Sequence, residues 1–350
     1  MKKRSFIALL LTLALSCSMA FAAAAQEPAQ VEPQNLVLTT TFSENEFAGQ
    51  FITHMVDKLA ELSGGAITVE VFWGGTYAAM GEELAFVGQG GADMSVIGQP
   101  MYTDKLSLLN FPSQVITSYE DAINLMDTIA FKNEKTAPLV QEEIEKNNVH
   151  MIGSMPGGSN SFITKNEYTS LADMKGLKMG IGMNQTAMEM LGFNVVTMMP
   201  WDYYDQLSRG VADAGYMSST ALISMSLHEV MPYFLNDGTY TAGNFITINL
   251  DKWNSFDDAT KAIFEEAVAD TQAFACETAS TMDAGVEAAL EAAGGKLNVL
   301  NEEDAALVQK AFFETGVSDA RGYAAAAGTS EAMEIILPEV AAMVGLELPE

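Results

Sequence analysis

Three histidines (His54, His150, His228), two cysteines (Cys17, Cys276) and 46 acidic residues are the groups of this 350-residue chain with metal-binding, nucleophilic or proton-transfer chemistry. The histidines stand far apart. None belongs to a His-Glu-x-x-His or Cys-x-x-Cys arrangement, so neither a zinc site nor a histidine-based triad is spelled out. No Gly-x-Ser-x-Gly elbow is present. The stretch Gly153–Ser159 has the glycines of a phosphate loop, but Ser159 stands where the lysine would have to be. Glu82–Glu83 and Glu265–Glu266 lack a partner group for acid–base work and read as helix-surface charge. The chain carries 22 methionines, soft ligands that suit Cu(I), yet Met55, Met126, Met188, Met190 and Met282 are spread along apolar faces as core filling. Cys276 sits in an apolar helical pattern and reads as a small core residue. No catalytic constellation is visible, and no metal or cofactor is expected. A binding protein is favoured over an exported enzyme, which measured turnover of a bound ligand would revive.

Charge narrows the partners. Seventeen Lys and Arg face 46 Asp and Glu, a net charge of −29. Phosphate binding needs clustered basic residues, so nucleic acid is excluded as a partner. Residues 1–25 read as an export signal: basic Lys2-Lys3-Arg4, an apolar run from Phe6 to Leu15, then small residues ending in Ala22–Ala25. The run is too short to span a membrane, so cleavage is expected over anchoring, with lipidation of Cys17 the rival route. Either puts the protein outside the cytoplasm. Loss of the signal removes three positive charges and leaves −32. It also removes Cys17, so no internal disulfide can form and stability must come from packing.

The elements that must position a site follow from periodicity. Residues 26–35 are polar with two prolines and read as a flexible lead-in, folding starting at Leu36. A strand at 36–41, a helix carrying Phe47, Phe51, Ile52, Met55, Val56, Leu59 and Leu62, and a strand at 66–72 make a βαβ unit. Helices at 82–87, 118–132 and 137–147 alternate with strands at 94–97 and 150–152. After Pro156-Gly157-Gly158 the pattern restarts: strands at 161–164, 178–181, 194–197 and 214–217, helices at 184–191 and 202–209. This is an α/β protein with two alternating units and a mostly parallel sheet. From Asp257 to about Ala284 apolar residues recur at helical spacing, a helix of roughly 40 Å, long enough to bridge two domains.

The segment Ser170-Leu171-Ala172-Asp173-Met174-Lys175-Gly176-Leu177-Lys178 resembles the "s-l-x-D-l-K-G-l-K" signature of the solute-binding proteins of tripartite ATP-independent periplasmic (TRAP) transporters, the DctP-type family. Leu191-Gly192 and Asp202-x-Tyr204-x-x-Leu207-x-x-Gly210-x-x-Asp213 match its next conserved stretch in order and spacing. Upstream, Gly64–Phe72 and Val87-x-x-Gly90-x-Ala92-Asp93-Met94 do the same, so the likeness spans about residues 36–290. It implies a two-domain, periplasmic-binding-protein-like α/β fold with a hinge, a ligand cleft and one long helix spanning both domains. Residues 36–155 with 246–285 would form domain I, and 156–245 with 286–350 domain II. It also implies a monomer that captures a small organic solute and delivers it to integral membrane subunits. A sensor presenting its loaded form to a membrane receptor is the rival role.

The likeness fails where a ligand is concerned. Family members clamp a substrate carboxylate with an arginine directly after "K-G-l-K-x", and that position is Gly180. A further arginine position falls at about Ser159, and a ligand asparagine position at Met217. After signal removal only Arg209 and Arg321 remain. Two ligand classes stay open. One is a neutral, aromatic or cationic solute held by Trp73, Glu82 and Gln99 from the first domain, by Ser159, Asn160, Gly180, Met183, Trp201, Tyr216 and Met217 from the second, and by Asn244 near a return crossover. Glu82 is expected there as a buried acid suited to a cation. The other is a carboxylate held by backbone N–H groups near Gly157, Gly158 and Ser159, or by Lys165.

Overall fold

The chain enters a sheet at Gln34, two residues before Leu36, where folding was expected to start, because the Gln34 amide donates to the Ala66 carbonyl and needs no apolar side chain to do so. The computed structural model describes residues 31–349. The expected export signal, Cys17 and the start of the lead-in lie outside the described residues.

Strand β1 (Gln34–Thr40) pairs in parallel with β2 (Ile67–Phe72) and β3 (Met94–Gly98), with α1 (Phe47–Leu62) and α2 (Glu83–Gly88) as crossovers. Then come α3 (Tyr119–Asp127), continued by a wider π-helical turn at Thr128–Lys132, and α4 (Ala137–Glu145). The second half repeats the plan with α5 (Leu171–Met174), β5 (Lys178–Ile181), α6 (Gln185–Met190), β6 (Asn194–Thr197), α7 (Tyr203–Ser208), β7 (Ala214–Ser218) and α8 (Ser219–Ser224).

Two antiparallel strands join these parallel wings, where a mostly parallel sheet was expected. Strand β4 (Val149–Thr164) runs straight through Pro156-Gly157-Gly158, which read as a break, and β8 (Tyr233–Asn249) returns beside it. The register shifts at Met155/Pro156, Pro156/Ser159 and Ser159/Ser161, and such bulges release the ladder bond that Pro156 cannot donate. Strand β8 hides a turn signal: Asn236 Oδ1 accepts from the Gly238 amide at 2.7 Å inside a strand that continues to Asn249. The order is β2-β1-β3-β8-β4-β7-β5-β6, with β9 (Lys296–Val299) beside β8.

Short α9 (Leu250–Ser255) leads into α10 (Asp258–Ala292), which starts where Asp257 accepts the Thr260 amide at 2.8 Å. At 35 residues α10 is about 52 Å long, longer than the periodicity predicts, because Gly285 is tolerated and the stop comes only at Gly294–Gly295. Its first turns bury Ile263, Phe264, Ala267 and Val268 under α1 and β1, and its last bury Val286 and Leu290 with Tyr203, Leu207 and Phe234 of the second half. One helix therefore spans both halves.

Two further helices, α11 (Glu302–Ala327) and α12 (Ser330–Val344), cover the other sheet face. Helix α12, within the residues 286–350 expected to belong to the second half, also contacts the first. Glu339 of α12 accepts from Asn133 Nδ2 at 3.0 Å and pairs with Lys135, both in the first half.

Candidate functional site

Parallel strands point their C-terminal ends at one region, and in open α/β sheets ligands gather there. Here the ends of both wings converge on the crossing of β4 and β8. Gln99 and Pro100 follow β3, Met183 and Asn184 follow β5, and Gly243 and Asn244 lie on β8 between them. With the loop Asn110–Gln114 and the α11 side chains Phe312, Asp319 and Tyr323, they enclose a cleft of about 250 Å³.

Its polar lining is made of side-chain amides, one serine, one carboxyl and one phenol. Gln99 is 5% exposed, and its Oε1 is buried without a partner. Gly243 adopts φ +122°, and a Cβ there would lie 2.3 Å from that oxygen, so glycine is what allows the close approach. Asn184, in the left-handed region at φ 57°, donates to Gln114 Oε1 at 2.7 Å across the cleft. Burial raises the Asp319 carboxyl above the usual range, and burial together with the Asp319 charge raises the Tyr323 phenol. Among the described residues, no lysine, arginine or histidine lines the cleft.

Of the residues singled out by sequence, Gln99, Met183 and Asn244 come together here. Ser159 and Asn160, adjacent on an extended strand, point to opposite faces. Ser159 Oγ donates to Asp283 Oδ1 of α10 at 3.2 Å, while Asn160 Nδ2 donates to Thr239 Oγ1 at 3.0 Å. Tyr216 is a core residue: it stacks on Phe312 and donates to Asp237 Oδ2 at 2.6 Å. Met217 is partly buried on the core beneath α7 and α8. Trp73 packs half-buried on the first-half core, and Trp201 is 73% exposed.

Glu82, expected to be buried, is exposed, and the adjacent Glu83 is the buried acid, held by the Tyr102 hydroxyl and the Gly81 amide. The two face opposite ways at the start of α2, an orientation that a Glu-Glu pair does not reveal. Gly180 is also displaced from the expected cleft role. A Cβ on it would meet Met198 Cε at 2.8 Å, Met198 Sδ at 2.9 Å and Ala212 Cβ at 3.2 Å, so Met198 fills the space. Lys165 lies at the far end of the second half: Thr164 pairs with Ala214, the first residue of β7, and Lys165 Nζ donates to the Ser208 carbonyl at 3.4 Å. It cannot serve a ligand at the C-terminal strand ends. Gly157 and Gly158 are within β4 and lack the positive φ of an anion-cradling nest.

Asn110, Gln114, Asn184, Asp319 and Tyr323 were not anticipated. For the last two the missed signal was α11 itself, marked by Asn301 accepting the Asp304 amide at 2.9 Å, acids in the first turn and a left-handed Gly328 at its end.

One buried group sets a pH test. Asp237 accepts from Tyr216, the Thr239 amide and Thr239 Oγ1, yet burial pushes its pKa from 3.8 up to about 6. The folded state binds this proton more tightly than the unfolded chain, so its contribution is full below about pH 4 and is lost as pH rises through about 6. Asp237→Asn, which keeps the shape and removes the charge, is expected to flatten that part of the profile. Melting curves of both proteins between pH 4 and 8 check it: the variant gains relative to wild type at pH 8, by up to roughly 3 kcal/mol.

Residues 38–315 match the family model DctP, bacterial extracellular solute-binding protein, family 7, and the chain belongs to that family. The family is one of solute receptors, not enzymes. Similar solved structures share the fold at low identity. A TRAP periplasmic solute-binding protein from Ochrobactrum anthropi, with a C-terminus bound in its ligand pocket, has TM-score 0.73 and 18% identity over 89% of this chain and 97% of that one. One from Rhodoferax ferrireducens with bound malonate has TM-score 0.72 and 18% identity over 89% and 98%. One from a Sulfitobacter species with bound β-D-galacturonate has TM-score 0.67 and 15% identity over 87% and 100%.

Proposed function

We propose that this protein, exported and freed of its signal, captures a small neutral or cationic organic solute between its two sheet halves and delivers it to the membrane subunits of a TRAP transporter. The observation that carries the ligand class is the lining of the cleft, where Gln99 Oε1 and Asp319 offer acceptors and, among the described residues, no basic side chain is present. The two arginines of the described residues are spent elsewhere, Arg209 on Asp205 at 2.9 Å and Arg321 on Glu334 at 2.8 Å. In domain terms, 36–155 with 246–285 and 156–245 with 286–327 are the two moving bodies, and α12 travels with the first. The crossing of α10 between Met282 and Val286 supports that division.

A carboxylate is the second reading, favoured by the malonate and galacturonate bound to the similar structures. It would rest on backbone N–H groups near Gly157, Gly158 and Ser159 without the geometry of a nest, since Lys165 is out of reach. The test is thermal unfolding of the mature protein with carboxylates, neutral aromatics and amines as separate sets. A ligand at 100 times its dissociation constant adds about 2.7 kcal/mol, a visible rise in melting temperature. Shifts confined to neutral compounds or amines are expected; shifts confined to carboxylates would replace this reading with the second.

A further inference from the structure

On the α10 face of the crossing strands, opposite the cleft wall built by α11, lies a carboxylate without a counter-charge. Asp283 is half-buried, and its one hydrogen bond is from Ser159 Oγ at 3.2 Å. Among the described residues no lysine, arginine or histidine forms an ion pair with it. Burying an unpaired carboxylate is costly unless a cation arrives.

A second observation is independent of the acid. Tyr119, at the start of α3, is 5% exposed and its hydroxyl is buried with no hydrogen-bond partner. A buried hydroxyl with no partner costs about 1–3 kcal/mol and calls for something to fill it. Its ring meets that of Tyr240 on β8 at 4.7 Å between centroids, tilted by 61°. Ser159, whose hydroxyl donates to Asp283, pairs with Tyr240 across the β4–β8 register, which sets the carboxylate beside the two rings, and its charge raises the pKa of both phenols. The groups come from four segments, α3, β4, β8 and α10, and three of these carry the chain between the halves.

We propose that Asp283 and the Tyr119 hydroxyl form the subsite that receives the protonated amine of the solute. An N–H-bearing ammonium supplies the charge that Asp283 lacks and a donor to the Tyr119 oxygen. The two tyrosine rings add cation–π attraction. The surrounding −32 field of the mature chain concentrates such cations. This rests on the solute-receptor reading and narrows its ligand class to amines.

The experiment titrates mature wild type, Asp283→Asn and Tyr119→Phe with methylammonium, putrescine and tetramethylammonium by calorimetry, with malonate and a neutral aromatic as parallel arms. Putrescine or methylammonium is expected to bind wild type, to lose about 30-fold or more in Asp283→Asn and several-fold in Tyr119→Phe. Tetramethylammonium, with no N–H, is expected to bind more weakly. Equal binding of tetramethylammonium, or amine binding untouched by both variants, overturns the subsite. Binding of malonate or the aromatic alone overturns it while leaving the receptor reading intact. Binding of nothing in any arm overturns both. Tyr119→Phe removes one atom, so it reports even where Asp283→Asn fails to fold.

Discussion

Gly180→Arg, which restores the family's clamping residue at its motif position, is expected to lower stability by about 3 kcal/mol or more and to confer no affinity for malonate. The position is closed. Met198, 1% exposed, lies 2.8 Å from where even a Cβ would stand, and Ala212 lies 3.2 Å away. Ile163, Leu207 and Leu222 complete the same apolar cluster. A guanidinium forced into it would displace Met198 and leave a charge with no carboxylate to pair. Thermal unfolding and calorimetry with malonate check both halves. A variant as stable as wild type that binds malonate would show that Gly180 faces the solute and that the packing of Met198 against it is not what excludes a clamp.

Phe264→Ala is expected to cost about 3–5 kcal/mol, the second large effect. Phe264 is fully buried on α10, stacked on Phe256 with centroids 5.4 Å apart and edge-on to Trp253 at 6.0 Å. It seats the first half of α10 on the sheet. The protein has no disulfide among its described residues, Cys276 being a free thiol, so nothing covalent shares that load. At about 2–4 °C per kcal/mol the melting temperature should fall by roughly 10 °C. A loss under 1 kcal/mol would mean that α10 is anchored instead by Val286 and Leu290 at its other end.

Periodicity located the parallel wings closely because each strand there is short and each crossover helix amphipathic: 67–72 against an expected 66–72, and 178–181 and 194–197 as expected. It failed at β4 and β8, since bulges let Pro156 and the Asn236-Asp237-Gly238 turn signal sit inside strands. Residues at the end of a short parallel strand can be placed from the sequence. Gln99 and Met183 follow β3 and β5 directly, and both line the cleft. Tyr216 and Asn160 are turned by strand alternation into the buried interior, where Asp237 and Thr239 hold them.

Order along the chain determined the family, the two alternating units, the long helix and the shortage of arginine, because those depend on residue type and local spacing alone. Which acid is buried, which glycine is closed off and which residues share the cleft were decided by the tertiary structure. Glu83 over Glu82, Met198 over Gly180, and the meeting of Ser159 with Asp283, 124 positions away in the chain, arise only when separate segments pack. Burial and unpaired charge are properties of that packing, and no local pattern carries them.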